Sequence, residues 1–293
     1  RWFDKAEQRQ VLAVVGTARH EGRSYLAANL AVVFSQLGAR TLLPGTSHVD
    51  LTQQPHAGLL KPLYRSGFAF SDCWVDDARL VVLNAMDAAA HKADIRTRSE
   101  VTHLERRDGL WHIQISGQEP IVARAVANAA GPAVLDLIAR TSGHDRPSGG
   151  TIRLVRGSHI VVRKMFDTPQ AYFCQNPAGR IFFAIPYEDD FTLIGTTDAD
   201  HHGSLDHVNA TAEEIAYLCS SAGAYFRQKL TPADVIYSYA GVRPLVDDGS
   251  GKPEAATRGY SFELSAAGDG APILSVFGGK ITTYRTLAQE AVD

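Results

Sequence analysis

The pattern of apolar and polar positions in the first part of the chain predicts a βαβ unit, a linker and a helix. Residues 11–15 form a continuous apolar run typical of a buried strand, and a helix-like pattern follows over 24–37 and ends at Gly38. Residues 44–70 keep no period and carry many prolines and glycines, which indicates a loop or linker. Residues 76–90 then place apolar side chains on one side of a predicted helix.

The rest of the chain is richer in strand patterns. Alternating positions over 100–116 predict a hairpin, and residues 180–196 predict a longer one around a polar turn. A capping box of Thr211 and Glu214 opens a predicted helix between these strands and the later ones. Further strands are predicted over 122–130, 158–162, 171–174, 235–239, 260–264 and 273–277.

Composition and charge are those of an ordinary globular protein. The 293 residues carry 29 basic and 32 acidic side chains, which gives a net charge of −3, and 45% of them are hydrophobic. This near-neutral charge argues against nucleic acid as a partner, because broad nucleic-acid binding needs a concentrated basic face. No apolar run reaches the about 18–20 residues of a membrane span. Because the chain does not begin with Met, we expect a fragment or a fusion.

The cysteines and a group of aspartates do not predict a metal site. Cys73, Cys174 and Cys219 lie far apart without metal-type spacing, and we expect them to be small buried apolar residues in a reducing compartment. The three aspartates between 72 and 77 precede a predicted helix, where acidic side chains favour the first turn. No metal is therefore expected.

A glycine loop follows the first predicted strand. Gly16, Gly22, Arg23 and Ser24 are spaced nearly as in a phosphate-binding loop, although one extra residue separates the glycines and arginine replaces lysine. Such a loop at a helix N-terminus cradles phosphates on backbone N–H groups. Residues 1–43 resemble the start of the bacterial polysaccharide-associated tyrosine kinases. Two interpretations stay open for this segment, an NTP-binding loop and a purely structural βαβ unit.

From about residue 43 to its end, the chain resembles the FAD-dependent, quinone-linked glycerol-3-phosphate dehydrogenases. Any one of the shared motifs is a weak signal, whereas six in the same order are specific. Relative to that family, we expect the G-x-G-x-x-G strand at the start and the helical region at the end to be missing. The motifs are SDCWVDDARLV at 71–81, NAAGP at 128–132, RGSHIVV at 156–162, FAIPYEDDFTLIGTTD at 183–198, YAGVRPL at 239–245 and LSVFGGKITTYR at 274–285.

The resemblance implies FAD as the cofactor. The sequence Gly278-Gly279-Lys280 stands at a strand-to-helix junction, where small residues let the backbone approach a planar ring. Lys280 and the helix N-terminus would stabilise negative charge on a reduced flavin. The alternative is an ordinary glycine-rich turn. The cofactor-binding residues implied in this way are Val101, Asn128, Gly131, Gly278, Gly279, Lys280, Ile281 and Thr282.

The resemblance also implies oxidation of sn-glycerol 3-phosphate to dihydroxyacetone phosphate, with the electrons passed to quinone. His159, Arg243 and Lys280 are the implied catalytic residues, and Arg243, Thr197 and Tyr239 the implied substrate contacts. His159 suits the C2 hydroxyl proton because the ordinary pKa of histidine lies near neutrality. Arg243 suits phosphate because guanidinium binds its oxygens bidentately. The alternatives are a structural histidine, a surface ion pair of Arg243 with Asp247 or Asp248, and only a turn at Thr197.

These observations together predict an α/β fold with α+β character: a partial FAD/NAD(P)-binding Rossmann-like layer plus a mostly antiparallel β substrate domain. The predicted domains are a P-loop-like βαβ unit over 1–43, a partial FAD-binding domain over 44–150, an antiparallel substrate-binding domain over 151–255 and a return to the FAD-binding domain over 256–293. The resemblance to that family also implies a cellular location, that of a cytoplasmic protein with peripheral contact at the inner membrane. The functional alternatives are an NTP-binding, tyrosine-kinase-like protein and a non-catalytic remnant without flavin.

Overall fold

The computed structural model describes residues 47–70, 75–142, 152–175, 180–246, 259–265 and 270–293. They divide into two compact units. The first contains the described residues of Arg1–Cys73, Arg156–Ala199 and Val208–Gly241, and the second those of Trp74–Val155, Asp200–His207 and Val242–Asp293. The predicted strand and helix between residues 11 and 38 lie outside the described residues. The domain boundaries predicted from the sequence stay a prediction.

The segment predicted as a loop over 44–70 contains a short hairpin, so that prediction was wrong in part. Strand β1 (Ser47–Asp50) pairs antiparallel with β2 (Ser66–Ala69). Each strand has only four residues and faces solvent along most of its length, so no alternation of apolar positions marks it. Between them, Leu60 is buried in the core of the first unit.

Helix α1 (Asp77–Ala90) begins where the sequence predicted a helix. The side chain of Asp76 accepts a hydrogen bond from the backbone N–H of Arg79 at 3.0 Å, which is the capping role expected of an acid at this position. The apolar side of the helix is exposed: Val81 is 61% and Met86 62% accessible, and none of its residues is buried.

A three-stranded antiparallel sheet follows, formed by β3 (Val101–Arg107), β4 (Leu110–Ile115) and β5 (Ile121–Ala123). The predicted hairpin turns at Asp108 and Gly109, both with positive φ. The single strand predicted over 122–130 was wrong, because the chain changes sheet within it. Strand β5 pairs with β4, whereas β6 (Val126–Asn128) pairs with a strand near the C-terminus.

After β6, a 3₁₀ turn (Gly131–Ala133) leads into the short helix α2 (Val134–Ala139). The chain then forms six strands, which are β7 (Ile152–Arg163), β8 (Tyr172–Gln175), β9 (Ile181–Tyr187), β10 (Phe191–Gly195), β11 (Ala199–Asp200) and β12 (Val235–Val246). They form one sheet in which β11, β7, β10, β9 and β8 are neighbours in that order, and β12 also pairs with β7. Strands β9 and β10 form the hairpin predicted over 180–196.

Helix α3 (Ala212–Tyr225) packs its apolar side on the core of the first unit. The predicted capping box is present, with Thr211 and Glu214 bonding to each other's backbone N–H groups. Cys174 and Cys219 are buried and unpaired, as predicted, and burial raises the pKa of the Cys174 thiol to about 12. Cys73 lies outside the described residues.

The C-terminal part of the second unit contains β13 (Tyr260–Ser265), β14 (Ile273–Gly278) and helix α4 (Tyr284–Val292), joined to β14 through a 3₁₀ turn at Ile281–Thr283. Strand β14 pairs antiparallel with β13 and parallel with β6. The core beneath this sheet contains Leu104, Trp111, Ala271 and Ile273. Within the described parts of the chain, we find no helix that is both long and apolar enough to cross a bilayer.

Candidate functional site

The predicted flavin segment lies at one edge of a sheet in the second unit. Strands β6 and β14 run parallel, with Ser275 opposite Asn128, so their carboxyl ends point to the same side. Ligands in open α/β sheets bind outside the carboxyl ends of the parallel strands. The pairing therefore brings the NAAGP and GGK segments to one edge, although about 150 residues separate them in the sequence.

Two glycines shape the end of β14. Gly278 and Gly279 have φ of +75° and +98°, which side-chain-bearing residues rarely adopt. A Cβ on Gly278 would lie 2.5 Å from the carbonyl oxygen of Gly259, and one on Gly279 would lie 3.1 Å from Leu287 Cδ1. Both positions require glycine, whether or not a ring lies nearby. The turn that follows begins at Ile281, and the first N–H groups of a helical turn have no partner within it.

At the end of β6, the side chain of Asn128 holds the loop rather than projecting from it. Asn128 is completely buried, its Nδ2 donates to the Val134 carbonyl at 3.0 Å, and its Oδ1 accepts from the Ala130 N–H at 3.3 Å. Gly131 follows with φ of +57°, and a Cβ built there would meet no atom within 4 Å. The Asn128 side chain thus fixes the loop backbone, and the space around the Gly131 Cβ position is open. This arrangement fits close approach by a planar cofactor.

Val101, one of the predicted cofactor-binding residues, begins β3 and packs against the core of the second unit. Its carbonyl oxygen accepts a hydrogen bond from Arg140 Nη1 at 2.6 Å, and the same nitrogen bonds Glu100 at 2.8 Å. A contact of this carbonyl with a cofactor would share the oxygen with Arg140. The role of Val101 therefore stays a prediction. The backbone around the ends of β6 and β14, by contrast, fits a flavin ring.

Replacing Gly278 by Ala is expected to destabilise the protein and weaken FAD binding, because the new methyl group meets backbone and cannot turn away. Gly117→Ala is a matched control, since Gly117 also has a positive φ (+67°) but open space around its Cβ position. We expect Gly278→Ala to lower the free energy of unfolding by about 1–3 kcal/mol more than the control does. Denaturant unfolding and an FAD titration measure the two effects. Equal losses in both variants would contradict the steric argument.

In the first unit, the imidazole of His159 is held between a glycine and an aromatic ring. His159 lies opposite Gly195 in the β7–β10 pairing, and a Cβ on Gly195 would lie only 2.0 Å from His159 Cδ2. On its other side the imidazole stacks on Tyr239, with ring centroids 5.0 Å apart and planes 7° from parallel. The ring is half-buried and its orientation is set by both neighbours.

Next to His159, the hydroxyl of Thr197 is engaged inside the protein. It accepts a hydrogen bond from the Ser158 N–H at 2.9 Å and donates one to Glu214 Oε1 at 3.0 Å, and the residue is only 5% exposed. The sequence predicted a substrate contact for Thr197, and that role stays a prediction. Tyr239, the other predicted substrate contact in this unit, is 39% exposed and provides the stacking face for His159.

Glu214 is a buried carboxylate whose role the sequence did not reveal beyond its capping box. It accepts from the Thr211 N–H at 3.0 Å and pairs with Arg156 Nη2 at 3.1 Å. Burial raises the pKa of the Glu214 carboxyl, but hydrogen bonds from Thr211, Thr197 and Arg156 outweigh it, so the pKa lies below its ordinary value. Glu214 is therefore ionised at neutral pH, and its stabilising contacts are lost only as the pH falls through that lowered pKa.

The structure describes two further predicted site residues. Arg243 is a partly buried residue of β12, and Lys280 precedes the 3₁₀ turn before α4; both belong to the second unit. The aspartates with which Arg243 was weighed as an ion pair, at 247 and 248, lie outside the described residues. The predicted phosphate loop of Gly16, Gly22, Arg23 and Ser24 lies outside them too, and stays a prediction.

Comparison with known proteins places this geometry in a family. A family model described as FAD dependent oxidoreductase (DAO) matches residues 6–285. The chain is 46% identical over 264 residues to a glycerol-3-phosphate dehydrogenase of Pseudomonas aeruginosa, covering 89% of this chain and 51% of the relative. It is 44% identical over 265 residues to a D-erythritol 1-phosphate dehydrogenase of Brucella abortus, covering 89% and 52%. The chain thus spans about half the length of the curated relatives it matches.

Solved structures agree on the fold. The glycerol-3-phosphate dehydrogenase of Bacillus halodurans in complex with FAD is similar with a TM-score of 0.67 and 29% identity, covering 83% of this chain and 47% of that one. The FAD-bound L-alpha-glycerophosphate oxidase of Mycoplasma pneumoniae has a TM-score of 0.64 at 19% identity, covering 92% and 69%. The predicted fold class and the prediction of a flavin-dependent oxidoreductase family are therefore confirmed. The chain belongs to the FAD-dependent oxidoreductase family.

Proposed function

We propose that this chain supplies the catalytic base and the flavin-ring segment of an FAD-dependent dehydrogenase that oxidises sn-glycerol 3-phosphate to dihydroxyacetone phosphate. The observation that carries the proposal is the imidazole of His159, held in one orientation between the Gly195 backbone and the Tyr239 ring. A fixed imidazole suits removal of a hydroxyl proton, because histidine is the side chain that most often acts as a general base.

The substrate class is supported by the names of the relatives. Both glycerol-3-phosphate dehydrogenase and D-erythritol 1-phosphate dehydrogenase act on phosphorylated polyols, and the chain is 46% and 44% identical to them. In this proposal Arg243 binds the phosphate, because guanidinium matches phosphate oxygens bidentately. His159 accepts the proton of the C2 hydroxyl as that carbon is oxidised.

The cofactor is supported by the shape of the second unit. Gly278, Gly279, Lys280 and the N–H groups of Ile281 and Thr282 would hold the ring of FAD, and the open loop at Gly131 would lie along it. When bound, FAD supplies the acceptor for the hydride released from C2. Lys280 and the start of the helical turn favour negative charge nearby. We further propose quinone as the final electron acceptor, with peripheral contact at the membrane.

A reconstitution experiment tests the proposal. The purified 293-residue protein is mixed with FAD, freed of excess cofactor, and treated anaerobically with sn-glycerol 3-phosphate while its visible absorbance is recorded. We expect retained flavin absorbance that is bleached by the phosphate ester but not by glycerol, and restored by a soluble quinone analogue. A protein that retains no FAD would support the non-catalytic remnant instead. Binding of Mg-ATP, abolished by changing Arg23, would support the NTP-binding alternative.

A further inference from the structure

A chain of hydrogen bonds joins the start of helix α3 to the strand that carries His159. We call it the Glu214 network, and it consists of Arg156, the Ser158 N–H, Thr197, Thr211 and Glu214. All of its members belong to the first unit. None was predicted as catalytic, and Thr197 was predicted as a substrate contact, so the network needs its own explanation.

The network begins where a strand pairing stops. Gly195 is the last residue of β10 and lies opposite His159. Ser158, the residue before His159 in β7, therefore lies beyond the end of that pairing. The Thr197 hydroxyl accepts the Ser158 N–H there at 2.9 Å. A side chain thus replaces a backbone acceptor one residue before His159, and it fixes the Gly157–Ser158 peptide bond.

Glu214 decides how the Thr197 hydroxyl is oriented. An ionised carboxylate only accepts hydrogen bonds, so the hydroxyl must donate its proton to Glu214 and present a lone pair to the Ser158 N–H. Arg156 and the Thr211 N–H hold the carboxylate in place, and Glu214 is 9% exposed. From donor to acceptor, the hydrogen bonds therefore run from the Ser158 N–H through the Thr197 hydroxyl to Glu214 at the start of α3.

We propose that Thr197 and Glu214 are positioning residues, which hold the His159 ring in its place between Gly195 and Tyr239, and that Thr197 does not bind substrate. The inference rests on the proposed function, since it matters to the reaction only if His159 is the base. Displacing a catalytic group by a fraction of an ångström weakens proton transfer while leaving substrate binding largely unchanged.

The test compares Thr197→Val, Thr197→Ser and Glu214→Gln in the 293-residue chain. Valine keeps the shape of threonine without its hydroxyl, and serine restores the hydroxyl. Thr192→Val is the matched control. Thr192 is a buried threonine of β10 whose hydroxyl accepts a hydrogen bond from the backbone N–H of Met165 at 3.0 Å. In the strand pairing, Thr192 lies opposite Val162 rather than His159. Circular dichroism confirms that each variant is folded.

The first readout is NMR of the protein labelled at its 11 histidines, in which loss of a signal in His159→Asn assigns the His159 ring. We expect Thr197→Val and Glu214→Gln to shift that signal and its titration, and Thr197→Ser and Thr192→Val to leave both near wild type. An unchanged signal in Thr197→Val, or an equal shift in Thr192→Val, overturns the inference. This readout does not depend on activity, so it separates failure of the network from failure of the proposed function.

The second readout is steady-state kinetics with sn-glycerol 3-phosphate. We expect Thr197→Val to lower kcat by about ten- to a hundredfold and to change KM less than about threefold, with recovery in Thr197→Ser. A raised KM with unchanged kcat identifies Thr197 as a substrate contact and overturns the inference. If His159→Asn keeps full activity, the proposed base is wrong, whatever the NMR signals show.

Discussion

Replacing His159 by Asn is expected to lower kcat for sn-glycerol 3-phosphate oxidation by about 10²–10⁴-fold at neutral pH, the range typical of a lost general base. Asparagine is polar and smaller than histidine, so it fits between Gly195 and Tyr239 without collision. Its amide does not accept a proton near neutrality. FAD uptake should be unchanged, because the ring-binding segment belongs to the other unit.

The pH profile distinguishes a base from a merely structural histidine. In the wild-type protein, kcat/KM should fall as the pH drops and the imidazole is protonated, and this acidic limb should disappear in His159→Asn. His56→Asn is the matched control, since His56 is a histidine of the same unit whose Nδ1 bonds the Tyr172 hydroxyl at 2.8 Å. We expect that control to keep the limb and most of the activity. A small loss in His159→Asn with the limb intact would rule out His159 as the base.

Replacing Gly195 by Ala is expected to have the second largest effect. The new methyl group would lie 2.0 Å from His159 Cδ2 and 2.6 Å from its Nε2, so the ring has to move. Its retreat is limited by the parallel stack on Tyr239. Because Gly195 is buried within a sheet, we expect the free energy of unfolding to fall by about 1–3 kcal/mol, the range found for overpacked cores. Activity should fall by at least tenfold, since the displaced imidazole is the proposed base.

Denaturant unfolding and kinetics measure these losses. Gly223→Ala is the control: it lies in α3 with no atom within 4 Å of its Cβ position, and alanine in a helix should stabilise the protein by about 0.5–1 kcal/mol. In a His159→Ala background, Gly195→Ala should destabilise the protein much less, because the ring it collides with is gone. An equal loss with and without the ring would show that Gly195 is required for another reason.

Local pattern was enough to predict the elements with strong periodicity or capping. The hairpin turn at Asp108 and Gly109, the capping box of Thr211 and Glu214, and the helix that begins after Asp76 were all predicted from neighbouring residues. These features depend on interactions within a few positions, which a sequence displays directly. The hairpin of β1 and β2 was missed, because four-residue exposed strands display no period.

By itself, the sequence determined the family, since motifs in a fixed order need no geometry to be recognised, and it identified His159 and the glycines before Lys280 as candidates. Only the tertiary structure decided that the chain changes sheet after β5, that β6 and β14 bring two distant motifs to one edge, and that Gly195 accommodates the His159 ring. It also showed that the Thr197 hydroxyl is bonded in a buried network with Glu214. The physical reason is the same in each case. Strand partners, steric gaps and the direction of a hydroxyl depend on residues far apart in the chain, and their contacts exist only after folding.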